Sequence, residues 1–166
     1  MNGIERLMRD DHFESIASGA SVSKARLHSV LDTAVDGIVV MDDRARIILY
    51  NKACETLFGY SAEDVRGKNV KILMPADYAA AHDGYVKHYL DTGERRIIGI
   101  GREVRARHRD GTEFPIELSV GEAATPEGRQ FIGIMRDLRG RKAVEQRLAN
   151  AQAQLVSMAR VNAHRR

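Results

Sequence analysis

The stretch from Met74 to Arg102, MPADYAAAHDGYVKHYLDTGERRIIGIGR, constrains the rest of the chain more than any other. Its first half reads as a helix, with Pro75 suited to the first helical turn and Asp91-Thr92-Gly93 as the stop. On a helical period Tyr78, His82, Tyr85, Val86 and Tyr89 fall on one face, which Lys87, His88 and Asp91 do not join. A histidine therefore sits in the middle of an apolar stripe, turned toward whatever the helix packs on. Its ring nitrogens need a use there, because burying a polar group without a partner is costly. The second half, Ile97 to Ala106, reads as a strand. Ile98, Ile100, Arg102, Val104 and Ala106 share one parity, which puts Arg102 on the apolar side and sends Arg105, Arg107 and Arg109 to solvent. One histidine and one arginine aimed into the same interior point to a bound group that offers both a metal and an anion.

The 166 residues, with 43% hydrophobic content, allow one medium domain with extensions. The net charge of +3 comes from interleaved acids and bases, so the pI near 9.2 reads as a solvated surface and no nucleic-acid partner is expected. No apolar run approaches the ~18 residues of a membrane span, and MNGIERLMRDDHF has no secretory pattern. The single cysteine, Cys54, excludes an intramolecular disulfide framework. A cytoplasmic location is the expectation from these features together.

Taken in order, residues 3–18 read as a helix with an imperfect apolar stripe, broken at Gly19-Ala20-Ser21. A second helix starts from a Ser21 or Ser23 cap and carries Leu27, Val30, Leu31 and Ala34 on one side, to dock on the core or on a second subunit. GIVVMDDRARIILYN reads as a hairpin around Asp42-Asp43-Arg44. Short helical pieces follow at Lys52–Phe58 and Ser61–Arg66, the latter opened by Ser61 with Asp64 as its acidic partner. Beyond the long helix the pattern gives three strands, about 97–108, 113–121 and 129–137, with a tight turn at Asp110-Gly111 and a looser one at Thr125-Pro126-Glu127-Gly128. Ile116, Leu118 and Val120 alternate inward. Two strands before a helical middle and three after it imply an α+β sandwich, one antiparallel sheet with helices on one face. The tail from Arg141 is one long helix. Val144, Leu148, Ala151, Leu155, Met158 and Asn162 follow an alternation of four and three, the seam of a coiled coil, and so imply a homodimer over a helix packed back on its own domain.

DGIVVMDDRARIILYNKACETLFGYSAEDVRGKNVKILMP resembles the first half of a PAS domain, and RDGTEFPIELSVGEA with FIGIMRDLRGRKAVEQRL resembles its second half and the signalling helix after it. The division this implies is an N-terminal helical extension at 1–25, a PAS domain at 26–138 and a signalling coiled-coil helix at 139–166. Within the domain, AAHDGYVKHYL and RRIIGIGREV resemble the haem-binding oxygen-sensor PAS of FixL-type histidine kinases. That resemblance implies haem b as cofactor, His82 as proximal ligand to its iron, and Arg102 as the distal arginine that serves a propionate in one state and bound dioxygen in the other. Ile97, Leu118 and Val120 match apolar residues that crowd the ligand, although strand parity alone does not put Ile97 with the other two. Tyr85 and Ile116 share the faces turned toward the group, while His88 and Arg96 fall near the places from which propionates are contacted. Ile100 stands where a related six-coordinate group has an axial methionine, which implies an open sixth position here. Dioxygen is the expected ligand, with carbon monoxide and nitric oxide as further candidates. The implied partners are a second copy of the chain, a downstream kinase domain and a response regulator.

Two other readings compete. A flavin-binding light sensor of the LOV type carries a reactive cysteine in its G-x-N-C-R-F-L-Q string, and here GKNVKILM places Val70 at that position. A PAS domain without cofactor, serving dimerisation and signal relay, needs no site at all. No catalytic arrangement is apparent: Ser119 lies outside a G-x-S-x-G elbow, and the glycines of GIGREVRARHRDG are not followed by a helix. The chain reads as the sensory part of a longer kinase, not as an enzyme.

Overall fold

The computed structural model describes residues 19, 21–92 and 99–165. The helix expected over 3–18 lies outside them. Helix α1 covers 21–33 and leads into strand β1 (Gly37–Asp42), which turns back as β2 (Ile47–Tyr50). Asp42 holds that turn, its Oδ1 accepting from the backbone N–H of Arg44 and Arg46 at 2.9 Å each. A helical layer follows: α2 (Lys52–Phe58), α3 (Ala62–Val65), a 3-10 turn at Val70–Leu73, and α4 (Ala76–Thr92). The remaining strands are β3 (Gly99–Arg107), β4 (Glu113–Thr125) and β5 (Gly128–Asp137), and α5 (Arg139–His164) ends the described chain.

The cap that the sequence signals at Ser61 is formed. Ser61 and Asp64 make a reciprocal capping box, so α3 proper begins one residue later than the expected piece. Gly59 closes α2 in the left-handed region at φ 80°, where a side chain would also collide with the His108 ring. The 3-10 turn was not legible in the sequence. It is capped by Asn69, whose side chain accepts from Lys71 N–H.

All five strands form one sheet in the order β2-β1-β5-β4-β3, with every pair antiparallel. The last hairpin is tighter than expected. Pairing continues to Thr125↔Gly128, so β4 runs four residues past Gly121 and only Pro126 and Glu127 remain in the turn. Thr125 Oγ1 donates to Gly128 O across it. Strand β3 also departs from expectation. Gly99 pairs with Val120 and Arg102 with Leu118, so three residues on β3 span two on β4. This is a one-residue bulge, and Gly101 takes it up in the left-handed region at φ 71°. Strict alternation through 98–106 therefore fails at the bulge.

The core lies between the helical layer and one sheet face, built from Cys54, Leu57, Phe58, Val65 and Leu73 against Val39, Ile47, Phe114, Ile116 and Met135. Phe58 stacks obliquely on Tyr50 and Phe114 within it. Helix α1 joins less firmly. Leu31 and Ala34 are half-buried, but Leu27 and Val30 are exposed. Helix α5 starts two residues earlier than expected and has no buried residue. Its seam residues Val144, Leu148, Leu155 and Met158 are all exposed, so the helix does not fold back on its own domain.

Asn51, 2% exposed, ties three elements together. Its Oδ1 accepts from Ile38 N–H on β1 and caps α2 through Cys54 N–H, while its Nδ2 donates to Leu31 O at the end of α1 and to Asp36 O. Asn51→Ala removes all four hydrogen bonds and leaves the Ile38 N–H without its side-chain acceptor. The expected cost is about 2–4 kcal/mol, read as a lower midpoint in urea unfolding, with a change under about 0.5 kcal/mol counting against the role.

Candidate ligand cavity

A cavity of about 520 Å³ opens between the helical layer and the inner sheet face. That is within the usual ~300–1,000 Å³ of small-molecule and cofactor sites. Its walls are largely apolar. Strands β1 and β5 give Val39, Met41, Phe131 and Met135, β4 gives Ile116, Leu118 and Val120, and the helical layer gives Phe58, Val70 and Leu73. Gly133 also lines the wall, facing Leu118.

His82 enters this cavity from α4 and is 8% exposed. It shares its face with Tyr78, one turn earlier, which also lines the cavity. The His82 Nδ1 is buried and makes no hydrogen bond, while the residue as a whole has other interactions. Among the described residues no three His, Cys, Asp or Glu side chains gather as a protein-built metal site.

Arg102 lines the same cavity but is exposed, which corrects the expectation of a buried guanidinium. The reason is position: β3 is the edge of the sheet and the bulge at Gly101 lies next to Arg102, so the side chain stands at the cavity rim with access to water. Ile116 is buried, and Leu118 and Val120 are half-buried. The side chains of Tyr85, His88 and Ile100, and all of Arg96 and Ile97, lie outside the described residues. Arg105, assigned to solvent by parity, is exposed but borders the cavity and is not idle there. It pairs with Asp77 of α4 and Glu113 of β4, and its guanidinium lies 5.3 Å from the Tyr78 ring centre. Glu103 also borders the cavity and pairs with Lys142 of α5 at 2.7 Å. Reading β3 alone missed both pairings. The walls from β1 and β5 lie in segments legible as strands, but their residues could not be assigned to a cavity before the topology was known.

The Val70 position, where a LOV domain has its cysteine, does line the cavity, but as an aliphatic wall. Cys54 is elsewhere, 0% exposed and packed in the core. Burial pushes its thiol up to about 12 from 9.0. A folded-state pKa above the unfolded one contributes stability that is present below pH 9 and lost as pH rises toward 12. Native chain at pH 8 should accordingly resist thiol reagents that label it at once in denaturant; equal rates in both states would show that Cys54 is accessible.

A mostly apolar cavity under a five-stranded antiparallel sheet, with a few polar side chains at one wall and the rim, is an arrangement with room for a small molecule. A family model described as the PAS fold matches residues 25–138, and the chain belongs to that family. It is 37% identical over 153 residues to the sensor protein FixL of Bradyrhizobium diazoefficiens, a match covering 92% of this chain and 30% of that protein. It is 30% identical over 143 residues to the cell-division control histidine kinase PdhS of Brucella anthropi, covering 86% of this chain and 13% of that one. The chain thus spans less than a third of either relative. Among solved structures, the PAS domain of an HTR-like protein from Haloarcula marismortui aligns with a TM-score of 0.60 at 18% identity, over 75% of this chain and 98% of that one, which speaks to the fold alone. No helix among the described residues is long and apolar enough to cross a membrane.

Proposed function

We propose that this chain is the haem-binding, dioxygen-sensing module of a two-component sensor histidine kinase. The observation that carries the reading is a buried histidine on the wall of an apolar cavity whose rim holds an arginine. The residues present suit haem b: an imidazole for the iron, apolar walls for the macrocycle and a cation at the rim for its carboxylates. The 37% identity to a sensor protein over nearly the whole chain supports the same reading. Haem, when bound, supplies an iron with a coordination position for a diatomic gas.

The chain's own groups do the rest. His82 holds the metal from α4. Arg102 presents a rigid fork of donors that serves a carboxylate or a polarised ligand through charge-assisted hydrogen bonds. Ile116, Leu118 and Val120 exclude water and limit the size of what enters. Tyr85, His88, Arg96, Ile97 and Ile100 complete the site on the strength of the resemblance. The route to output is short. Strand β5 is followed directly by Leu138, which is buried and donates from its N–H to Pro115 O, and Arg139 stacks on Phe114 at 4.5 Å as α5 begins. The apolar seam of α5 is suited to a parallel homodimer that passes the signal to a kinase domain and a response regulator. On this reading 1–25, 26–138 and 139–166 are extension, sensor and signalling helix.

Reconstitution with hemin tests the proposal directly. The chain should show a Soret band, His82→Ala should lose it while keeping its far-ultraviolet circular dichroism, and His28→Ala and His108→Ala should retain it. Full retention in His82→Ala removes the central claim, and a wild type that takes up no hemin favours the cofactor-free relay.

Arg102→Ala should weaken dioxygen binding about ten- to a hundredfold, the worth of one charged hydrogen bond at about 1.5–3 kcal/mol, mainly through faster dissociation. Carbon monoxide, which develops less charge when bound, should be affected less than about twofold. Equal effects on both gases, measured by flash photolysis and stopped flow, would make Arg102 a structural residue.

A further inference from the structure

The first turns of α4 are thinly attached. From Ala76 to His82 only His82 is buried, with Ala79 and Ala81 half-buried and the other residues exposed. Apolar packing therefore does little to fix where this end of the helix lies against β3. Arg105 supplies what packing does not. Its Nη2 donates to Asp77 Oδ2 at 2.8 Å, its Nη1 donates to Glu113, and its guanidinium faces the Tyr78 ring. Asp77 and Tyr78 belong to the first turn of α4. Glu113 opens β4, diagonal to Arg105 in the β3–β4 ladder, where Arg105 pairs with Pro115. One planar fork thus spans a helix and a hairpin, and Tyr78 under it is one helical turn from His82 on the same face.

We propose that Arg105 is the positioning residue for His82: it clasps the first turn of α4 to the β3–β4 hairpin and so fixes how the imidazole meets the cavity. The clasp stands on geometry alone; that the imidazole then holds an iron rests on the haem reading above. Both ion pairs are exposed, and each by itself is worth little. Their effect is local because three contacts converge on one side chain and act on a helix end with few others. Asp77 also lies at the end of α4 where a negative charge is favoured by the helix dipole, so its placement there does not oppose the pairing. Lysine cannot replace the fork, since one ammonium does not serve two carboxylates and a ring face in that geometry.

Hydrogen–deuterium exchange on the hemin-free chain and hemin transfer to excess apomyoglobin from the loaded chain test the idea in two independent arms. In Arg105→Gln, amides 79–84 of α4 should exchange roughly tenfold faster, with β1 and β5 unchanged, and hemin should leave faster by a similar factor. Arg105→Lys should fall between. Unchanged exchange in α4 overturns the clasp, and so does acceleration spread equally over the sheet, which marks general destabilisation. If the wild type retains hemin and Arg105→Gln releases it at the same rate, the clasp does not position His82. If the wild type takes up no hemin yet α4 exchange accelerates in the variant, the clasp stands and the haem reading fails.

Discussion

The pairing of β1 with β5 is the contact on which the rest of the structure depends. It runs unbroken from Gly37↔Met135 to Asp42↔Gln130 and joins the first strand of the domain to its last. The β1–β2 hairpin is not independently stable alone, and β5 joins it to the three strands of the other half. Closing so long a loop has an entropic cost that grows only slowly with its length, and the shared apolar face offsets it. Once the pair forms, the helical middle has to lie over one face, because its ends are fixed at β2 and β3. The cavity follows from that constraint. The helical layer seals the sheet around Phe58, Val65 and Leu73, but α4 continues past that core and leaves a space beside it.

Strand β3 is where this space meets the rest of the molecule. As an edge strand it has one partner, β4, and its bulge at Gly101 sets Arg102 at the rim. The charged side chains after the bulge then reach three different places. Arg102 borders the cavity, Glu103 pairs with Lys142 in the first turn of α5, and Arg105 pairs with Asp77 on α4. Each exposed pair contributes little, not enough to hold the fold but enough for a bound group to shift a population. An edge strand suits this, since moving it disrupts one ladder only.

Local elements were legible because local physics decides them. The Ser61-Asp64 box, the turns around Asp42-Asp43-Arg44 and Asp110-Gly111, and the boundaries of α2 follow from side chains within a few residues of the backbone they serve. The count of strands and the α+β layering follow from periodicity. His82 was legible as a buried histidine, because its face is set by the helical period of its neighbours. The same reasoning put Arg102 on the cavity side, where it lies, but could not show that it stands exposed on an edge strand. Alternation is reliable while a ladder is regular, and one extra residue at Gly101 breaks the rule without any signal beyond a glycine in a strand.

By itself, then, the sequence determined the helical and strand segments, the face that carries His82 and the apolar character of the walls, since all of these depend on spacing along the chain. Only the tertiary structure decided that those walls enclose one cavity, that β3 lies at the sheet edge, and that Arg105 is shared between Asp77 and Glu113. These are relations between residues far apart in sequence. They depend on which strands pair and in what register, and spacing along the chain carries no information about a partner that folding brings from elsewhere.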